Sequence, residues 1–257
     1  FDRAFIFPNS FRSALVPFLA RVPARNGAAG HERQWMLTNV VWVSSRQDRM
    51  HQAWEYMDIL GISADCDHIG DPVLRIPEEN TRETRVMLEQ MKWNKCIGLM
   101  PGAAYGPAKR WPADFFIEVG KRFARSGDYG VAVLGSQEES ELCAAVSNGI
   151  GEQSLNLAGR TSLPQLAALL AQCSVVVTND SGGMHLAAAT GTPVVAVFGI
   201  TDPTKTGPLG RKSRVILAEN ASRSRDIERS SAEAESCLRS IKPDKVCAAV
   251  TDLIREG

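Results

Sequence analysis

From residue 95 onward, short apolar runs alternate with amphipathic helical patterns, and this alternation constrains the fold more than any other feature. The main apolar runs lie at 95–102, 129–135, 174–178 and 193–199. Strands that are apolar along their whole length are buried on both faces, which is typical of a parallel sheet covered by helices. The pattern therefore predicts an α/β domain over residues 95–257.

Residues 1–94 have a different pattern, with only one clear strand. The predicted elements are a strand at 3–7, a helix from Ser10, an irregular Gly- and Arg-rich stretch at 21–34, and helices around 48–60 and 78–92. Because one strand cannot form a sheet, this region is predicted to be the C-terminal part of a second α/β domain. Its first strands, and with them the natural N-terminus, are expected to precede Phe1. We place the boundary between the domains near residue 94, and we expect the polar segment 219–240 to be mobile.

Composition excludes several classes of function. Lys and Arg number 29, as do Asp and Glu, so net charge gives no sign of a nucleic-acid partner or a membrane surface. No apolar run approaches the roughly 20 residues that cross a bilayer. The six cysteines form no CxxC motif and accompany only four histidines, so we expect no metal site and reduced thiols, as in a cytosolic protein.

The stretch VVVTNDSGGMH (175–185) is the first candidate for a binding site. In open parallel sheets, ligands bind outside the carboxyl ends of the strands, where this loop would lie. Gly182 and Gly183 bare the backbone, and a helix starting near Ser181 would direct free N–H groups at an anion such as phosphate. The alternatives are that Asp180 or Ser181 merely caps a helix, and that His185 is a satisfied core histidine.

Two further loops at the same predicted edge carry suitable chemistry. The loop PGAAYGPAKRWP delivers Lys109, a mobile point charge for phosphate, although Lys109 could instead be a solvated surface charge. Its spacing is not that of a P-loop, and the absence of GxGxxG argues against a nicotinamide cofactor. In GSQEES, carboxylates could accept hydrogen bonds from ribose or simply belong to the first turn of a helix. Together the loops predict a nucleotide diphosphate bound without a metal.

These motifs resemble a known family. PGAAYGPAKRWP, LAGRTSLPQLAALL and TNDSGGMHLAAATGTPVVAVFG resemble the lipopolysaccharide heptosyltransferases of glycosyltransferase family 9, and FPNSFRSALVPFLARVPARNG and ESCLRSIKPDKV resemble the heptosyltransferase II branch. The similarity covers nearly the whole chain. It implies a GT-B fold of two Rossmann-like domains, the N-terminal one incomplete here. It also implies inverting transfer of heptose, without a metal or other cofactor, from ADP-L-glycero-D-manno-heptose to the inner-core heptose of lipopolysaccharide.

The resemblance implies a role for each matching residue. Lys109 and Asp180 would be the catalytic groups of this chain, with Lys109 stabilising the charge that builds on the departing ADP and Asp180 positioning the donor. The implied donor-binding residues are Ala104, Tyr105, Lys109, Glu139 (or Glu138) for the ribose, Thr161 near the adenine, and Asp180, Ser181, Gly182, Gly183 and His185 for the diphosphate and sugar.

On the acceptor side, the resemblance is less complete. The candidates are Asn9, Ser10, Arg12, Ser13, Arg25 and Arg33, because arginines suit the anionic groups of the acceptor. The alternative is a capped helix at Ser10 with solvated arginines. The family's proposed general base is an aspartate on a segment that would precede Phe1, and Asp2 does not match it. Residues 1–94 would thus be part of the acceptor domain, 95–257 would be the donor domain, and this chain alone is expected to bind donor without turnover.

Two other functions stay open at this point: another GT-B nucleotide-sugar enzyme, such as a UDP-sugar epimerase, and a nucleotide-binding module without turnover. Comparing ADP with UDP would separate the first of these from the heptosyltransferase hypothesis, and measurable heptose transfer would exclude the second. The expected partners are a nucleotide-sugar donor and the lipopolysaccharide inner core, with no nucleic acid. Because the acceptor is a lipid, we expect a cytoplasmic protein with peripheral contact to the inner membrane.

Overall fold

The computed structural model of the protein describes residues 1–42, 51–62, 69–219 and 232–256. The chain forms two compact units, one from Phe1–Gly70 with Thr204–Thr206 and the other from Asp71–Pro203 with Gly207–Gly257. Over the described ranges, no helix is long and apolar enough to cross a membrane. The five cysteines within those ranges are free thiols, and Cys66 lies outside them.

The first unit contains a parallel sheet of three strands in the order β1-β2-β3. Its elements are β1 (Arg3–Ile6), α1 (Phe11–Leu19), β2 (Ala24–Ala28), β3 (Asn39–Val41) and α2 (Ala53–Leu60). The prediction of an irregular stretch over 21–34 is wrong for β2, which is the central strand. Its sequence ARNGA has no apolar alternation, and its strand conformation comes from pairing with a neighbour on each side. Gly27 lets the side chain of Leu37 approach this strand closely.

The second unit contains a parallel sheet of six strands in the order β6-β5-β4-β7-β8-β9. Its strands are β4 (Lys95–Met100), β5 (Tyr129–Val133), β6 (Ser154–Asn156), β7 (Val175–Asn179), β8 (Val194–Phe198) and β9 (Ser213–Leu217). The helices are α3 (Glu78–Gln90), α4 (Ala113–Ala124), α5 (Ser140–Ile150), α6 (Leu163–Gln172), α7 (Gly182–Ala189), α8 (Pro203–Thr206), α9 (Ala232–Ser240) and α10 (Pro243–Glu256). The last three residues of the short α8 belong to the first unit. The predicted parallel α/β fold is confirmed for this half of the chain.

Both faces of the six-stranded sheet are buried. Successive strand residues alternate between two apolar clusters: Val175 and Val177 pack with helix residues such as Phe116 and Val250 on one face, and Val176 packs with Leu170 on the other. This double burial explains why the strands are apolar throughout.

Three features of the second unit differ from the sequence prediction. The unit begins at Asp71 rather than near residue 95, because α3 packs against α6 and its Thr84 accepts a hydrogen bond from Gln172 Nε2 at 2.5 Å. Strand β9 was not predicted. Residues 232–240, within the segment expected to be mobile, form α9 with Ala234 and Leu238 buried, while residues 220–231 lie outside the described ranges.

The strand order creates a crevice between β4 and β7, where the direction of the chain along the sheet reverses. The chain runs outward from β4 to β6 in one direction and from β7 to β9 in the other. At such a switch point the loops that follow the two central strands diverge, and ligands bind between them. The loop after β4 and the loop after β7 therefore form the expected position of a site.

Candidate functional site

A cavity of about 980 Å³ lies at the carboxyl edge of the second unit's sheet. This volume is at the upper end of the range typical of ligand sites. Four connections at that edge contribute to its wall: Gly102, Ala103, Ala104 and Arg110 after β4; Gly135, Ser136, Glu138 and Glu139 after β5; Thr161 to Leu163 after β6; and Ser181, Gly182, Gly183 and His185 after β7. Seven of the ten predicted donor residues thus meet in one wall. Tyr105, Lys109 and Asp180 are on the same loops but do not line the cavity.

Lys109 and Asp180 form an ion pair that joins the loops after β4 and β7. Lys109 Nζ lies 2.6 Å from Asp180 Oδ2, with 22% of the lysine side chain and 8% of the aspartate side chain exposed. The lysine also lies 5.1 Å from the ring centroid of Tyr105. Lys109 is therefore not a solvated surface charge. Its charge is neutralised by Asp180, and an incoming anion has to compete for it.

The start of α7 is not capped by a side chain. Ser181 occupies the N-cap position in an extended conformation, but its side chain makes no capping hydrogen bond. This makes the capping interpretation wrong for Ser181, and Asp180 faces Lys109 instead. The first N–H groups of a helix have no partner within the helix, so an uncapped start adjoining a cavity suits an anion.

The structure explains the absence of a side chain at Gly182 and at Gly183 in different ways. A Cβ on Gly182 would meet no described residue within 4 Å, so this position borders open space. A Cβ on Gly183 would overlap the end of the Met100 side chain. Gly183 is thus explained by close packing of α7 on β4, whereas Gly182 keeps the backbone accessible from the cavity. His185 is exposed in the cavity wall and is not a core histidine.

Asn179, which ends β7, is a structural residue of the site that the sequence motifs did not reveal. It is fully buried; its Nδ2 donates to the carbonyls of Pro101 at 2.8 Å and Gly102 at 3.1 Å, and its Oδ1 accepts from Trp111 N at 2.9 Å. One amide therefore holds both ends of the loop from 101 to 111. The signal available in the sequence was a polar residue at the end of an otherwise apolar strand.

The two candidate ribose carboxylates have different environments. Glu139 Oε2 accepts from Ser136 N at 2.9 Å at the helix start, and its carboxylate packs so closely on Gly102 that a Cβ there would overlap it. Glu138 is exposed, and hydrogen bonding from Ser136 lowers its pKa, so it stays ionised. The first-turn interpretation thus holds for one oxygen of Glu139. Both side chains still reach the cavity wall, and their role toward ribose stays a prediction.

In the first unit, most of the candidate acceptor residues are bonded to one another. Ser10 is the N-cap of α1 and accepts from Ser13 N at 3.2 Å, and Ser13 Oγ donates to Pro8 O at 2.8 Å. Asn9 Nδ2 donates to Glu55 Oε1 at 2.8 Å. Of this group, Arg12 is exposed on α1.

Arg33 is the centre of this group and is fully buried. Its guanidinium donates to Ala28 O from Nε at 3.1 Å and from Nη2 at 2.8 Å, and also to Pro8 O and Asn9 Oδ1. Burial lowers the pKa of Arg33, and the nearby Glu55 opposes that shift. Arg25 is also bound internally, because its Nε donates to Met36 O at 2.5 Å. The alternative interpretation is confirmed for the helix cap at Ser10 and wrong for Arg33 and Arg25, which are not solvated; an acceptor role for the group stays a prediction.

The order of the parallel sheet and the cavity at its switch point place the second unit in the class of Rossmann-like, doubly wound α/β domains. The sequence pattern of glycosyltransferase family 9 (heptosyltransferase) matches residues 1–236. This match covers most of the chain, which therefore belongs to glycosyltransferase family 9.

Characterised relatives agree with this membership. The chain is 37% identical over 227 residues to lipopolysaccharide heptosyltransferase 2 of Escherichia coli K12, covering 84% of this chain and 65% of the relative. It is 34% identical over 230 residues to lipooligosaccharide heptosyltransferase 2 of Haemophilus influenzae, with the same coverage. The chain thus spans somewhat less than two thirds of the length of these relatives.

Solved structures identify the fold. The structure of E. coli ADP-heptose lipopolysaccharide heptosyltransferase II is similar over 100% of this chain and 77% of that chain, with a TM-score of 0.82 and 33% sequence identity. A family 9 glycosyltransferase from Veillonella parvula has the same TM-score at 23% identity. The fold class is α/β of the GT-B type.

Proposed function

We propose that the protein to which this chain belongs transfers heptose from ADP-heptose to the inner-core heptose of lipopolysaccharide. The observation that carries the proposal is the cavity at the switch point, where the uncapped start of α7 and the loop held by Asn179 meet. Family membership and the names of its relatives support the transferred group and the acceptor. The similar E. coli structure, an ADP-heptose enzyme, supports the donor.

The cavity offers complementary groups for each part of such a donor. The start of α7 at Gly182 would bind the diphosphate through backbone N–H groups. Glu138 or Glu139 would accept hydrogen bonds from the ribose, and Thr161 would lie beside the adenine. In this arrangement, the nucleotide extends along the sheet edge from the loop after β7 to the loops after β5 and β6.

Heptose transfer leaves negative charge on the departing ADP. As the bond between the sugar and the diphosphate breaks, Lys109 and the positive end of α7 would stabilise the charge that develops on the phosphate oxygen. For this, the Lys109 ammonium must exchange its hydrogen bond to Asp180 for one to the phosphate. The released Asp180 carboxylate could then position hydroxyls of the heptose. We propose that the reaction inverts the anomeric centre and uses no metal, the chain itself supplying the positive potential.

The proposed acceptor determines the location. An inner-core lipopolysaccharide precursor is a lipid, so we propose that the protein works in the cytoplasm in peripheral contact with the inner membrane. No nucleic acid is proposed as a partner, in agreement with the balanced charge of the chain.

Thermal unfolding with added nucleotides tests the donor. ADP and ADP-heptose are expected to raise the melting temperature, because a ligand at 100 times its Kd stabilises the folded state by about 2.7 kcal/mol. UDP and UDP-glucose at the same concentrations should give no comparable shift, and EDTA should not reduce the effect of ADP. A shift with UDP but not with ADP would contradict the proposed donor. Transfer of radiolabelled heptose to lipopolysaccharide that ends at its first heptose tests the acceptor.

A further inference from the structure

Arg110, in the wall of the cavity, has a buried donor without a partner. Its Nε is buried, and within the part of the chain that the structure describes it has no hydrogen-bond acceptor. The Nη2 lies 3.4 Å from Ala103 O, and that oxygen already accepts from Gly106 N at 3.0 Å. An unsatisfied buried donor costs about 1–3 kcal/mol, so such a group in a native fold calls for an explanation.

The backbone next to Arg110 is held firmly. Arg110 N donates to Pro107 O at 3.0 Å, and the following residue, Trp111, is buried and bonded through its backbone N to Asn179 Oδ1. The indole Nε1 of Trp111 donates to Ile241 O at 3.0 Å. This anchoring limits how far the guanidinium can move from the cavity.

Arg110 and Lys109 also differ in their ion pairing. Lys109 pairs with Asp180 at 2.6 Å, whereas over the described ranges Arg110 has no carboxylate within ion-pair distance. The guanidinium lies close enough to Cys143 to act on it. Burial and Glu139 raise the pKa of the Cys143 thiol to about 12, and the positive charge of Arg110 opposes this shift.

We propose that Arg110 binds a phosphate oxygen of the donor diphosphate, its side chain turning toward the cavity so that Nε and one terminal nitrogen of the guanidinium donate together. This inference deepens the proposed function and rests on it. Guanidinium is the side chain best suited to bind phosphate in this two-pronged way, and a phosphate satisfies the buried Nε. Lys109 and Arg110 are adjacent in sequence but differ in the unliganded site: the lysine is paired, and the arginine is available. Arg110 therefore makes the cavity selective for nucleoside diphosphates over nucleosides.

Calorimetric titration of Arg110→Gln with ADP and with adenosine tests this assignment. We expect ADP to bind at least tenfold more weakly than to the unaltered protein, while adenosine binds with the same affinity. Arg110→Lys keeps the charge but lacks Nε, so it should recover only part of the lost ADP affinity. Arg125→Gln, which alters an exposed arginine at the end of α4, is the matched control and should change neither affinity.

The outcomes separate this proposal from the proposed function. If Arg110→Gln binds ADP normally, Arg110 does not bind the diphosphate and the assignment is wrong. Equal losses of affinity for ADP and adenosine would show that Arg110 has a structural role, and would also overturn the assignment. If Arg110→Gln does not fold, the same comparison of ADP with adenosine is made with Arg110→Lys. If the unaltered protein binds UDP but not ADP, the donor proposal fails, and Arg110 is then judged with UDP and uridine. Binding of no nucleoside diphosphate would overturn both.

Discussion

Two loops of this chain carry polar residues directly after a parallel strand, and they use them in opposite ways. After β1, the polar groups of Asn9, Ser10 and Ser13 bond to Arg33 or to one another, and the guanidinium is buried. After β7, Asn179 holds the neighbouring loop while the backbone at Gly182 borders open space. The polar groups of the first loop are bonded within the protein, whereas the second loop forms part of the wall of an open cavity.

This difference shows how to separate support from site. Polar residues at a strand end can bind a ligand only if some of their hydrogen-bonding capacity is left over. In the cluster around Arg33, the donors are used within the protein, so substitutions there should affect folding. Around the cavity, Arg110 Nε has no partner among the residues that the structure describes, and Lys109 is paired with one carboxylate, that of Asp180. Substitutions there should affect binding more than folding.

Arg33→Ala should have the largest effect on stability. It removes both side-chain donors to the carbonyl of the buried Ala28 and one donor to Pro8 O, which still accepts from Ser13 Oγ, and it leaves a cavity where the guanidinium lay. With about 1–3 kcal/mol for the orphaned carbonyl and a further cost for the cavity, we expect a loss of roughly 3 kcal/mol in the free energy of unfolding, measured with urea. Arg12→Ala, at an exposed position, is the control and should stay within about 0.5 kcal/mol of the unaltered protein. An unchanged stability for Arg33→Ala would break the comparison and restore Arg33 as an acceptor candidate.

Asn179→Ala should affect both folding and binding. The buried amide makes three hydrogen bonds to the loop of residues 101–111, so its loss should cost about 2–3 kcal/mol of stability and also weaken ADP binding. Asn156→Ala is the control, because Asn156 ends β6 with one comparable bond to Ala158 N and should cost about 1 kcal/mol. Equal losses in the two variants would show that Asn179 is not a special anchor.

Lys109→Ala should affect binding and, to a smaller extent than the two preceding variants, folding. It leaves the Asp180 carboxylate, which is 8% exposed, without its partner, so we expect a loss of about 1–3 kcal/mol of stability, and ADP affinity should fall at least tenfold. Calorimetric titration and urea unfolding of the same preparation measure both quantities. Lys121→Ala on α4 is the control for removal of a lysine. If ADP affinity were unchanged, Lys109 would serve only to hold Asp180.

Gly182→Val should have the smallest effect on folding. The new side chain enters open space, so the free energy of unfolding should change by less than about 0.5 kcal/mol, but it should block the diphosphate and reduce ADP binding. Gly183→Ala reverses the pattern, because its Cβ displaces the end of Met100 at a cost of about 1 kcal/mol. Normal ADP binding by a folded Gly182→Val protein would contradict an anion site at the start of α7.

The sequence by itself determined the parallel α/β fold of residues 95–257 and the edge of the sheet at which the cavity lies. Both follow from local information: strands buried on two faces are apolar throughout, and the carboxyl ends of parallel strands share one edge. The alternation of strands and helices is therefore enough to bring together residues from four separate loops, such as Ala104, Glu139, Thr161 and His185.

Only the tertiary structure decided which polar groups are hydrogen-bonded within the protein and which are left to bind a ligand. Strand β2 exists because of its two neighbours, the second unit begins at Asp71 because α3 packs on α6, and Arg33 is structural because loops distant in sequence surround it. In the same way, Gly182 and Gly183 are neighbouring glycines, but a Cβ on Gly182 would lie in open space and a Cβ on Gly183 would overlap Met100. Hydrogen-bond satisfaction and close packing depend on partners far along the chain, and local sequence patterns do not specify those partners.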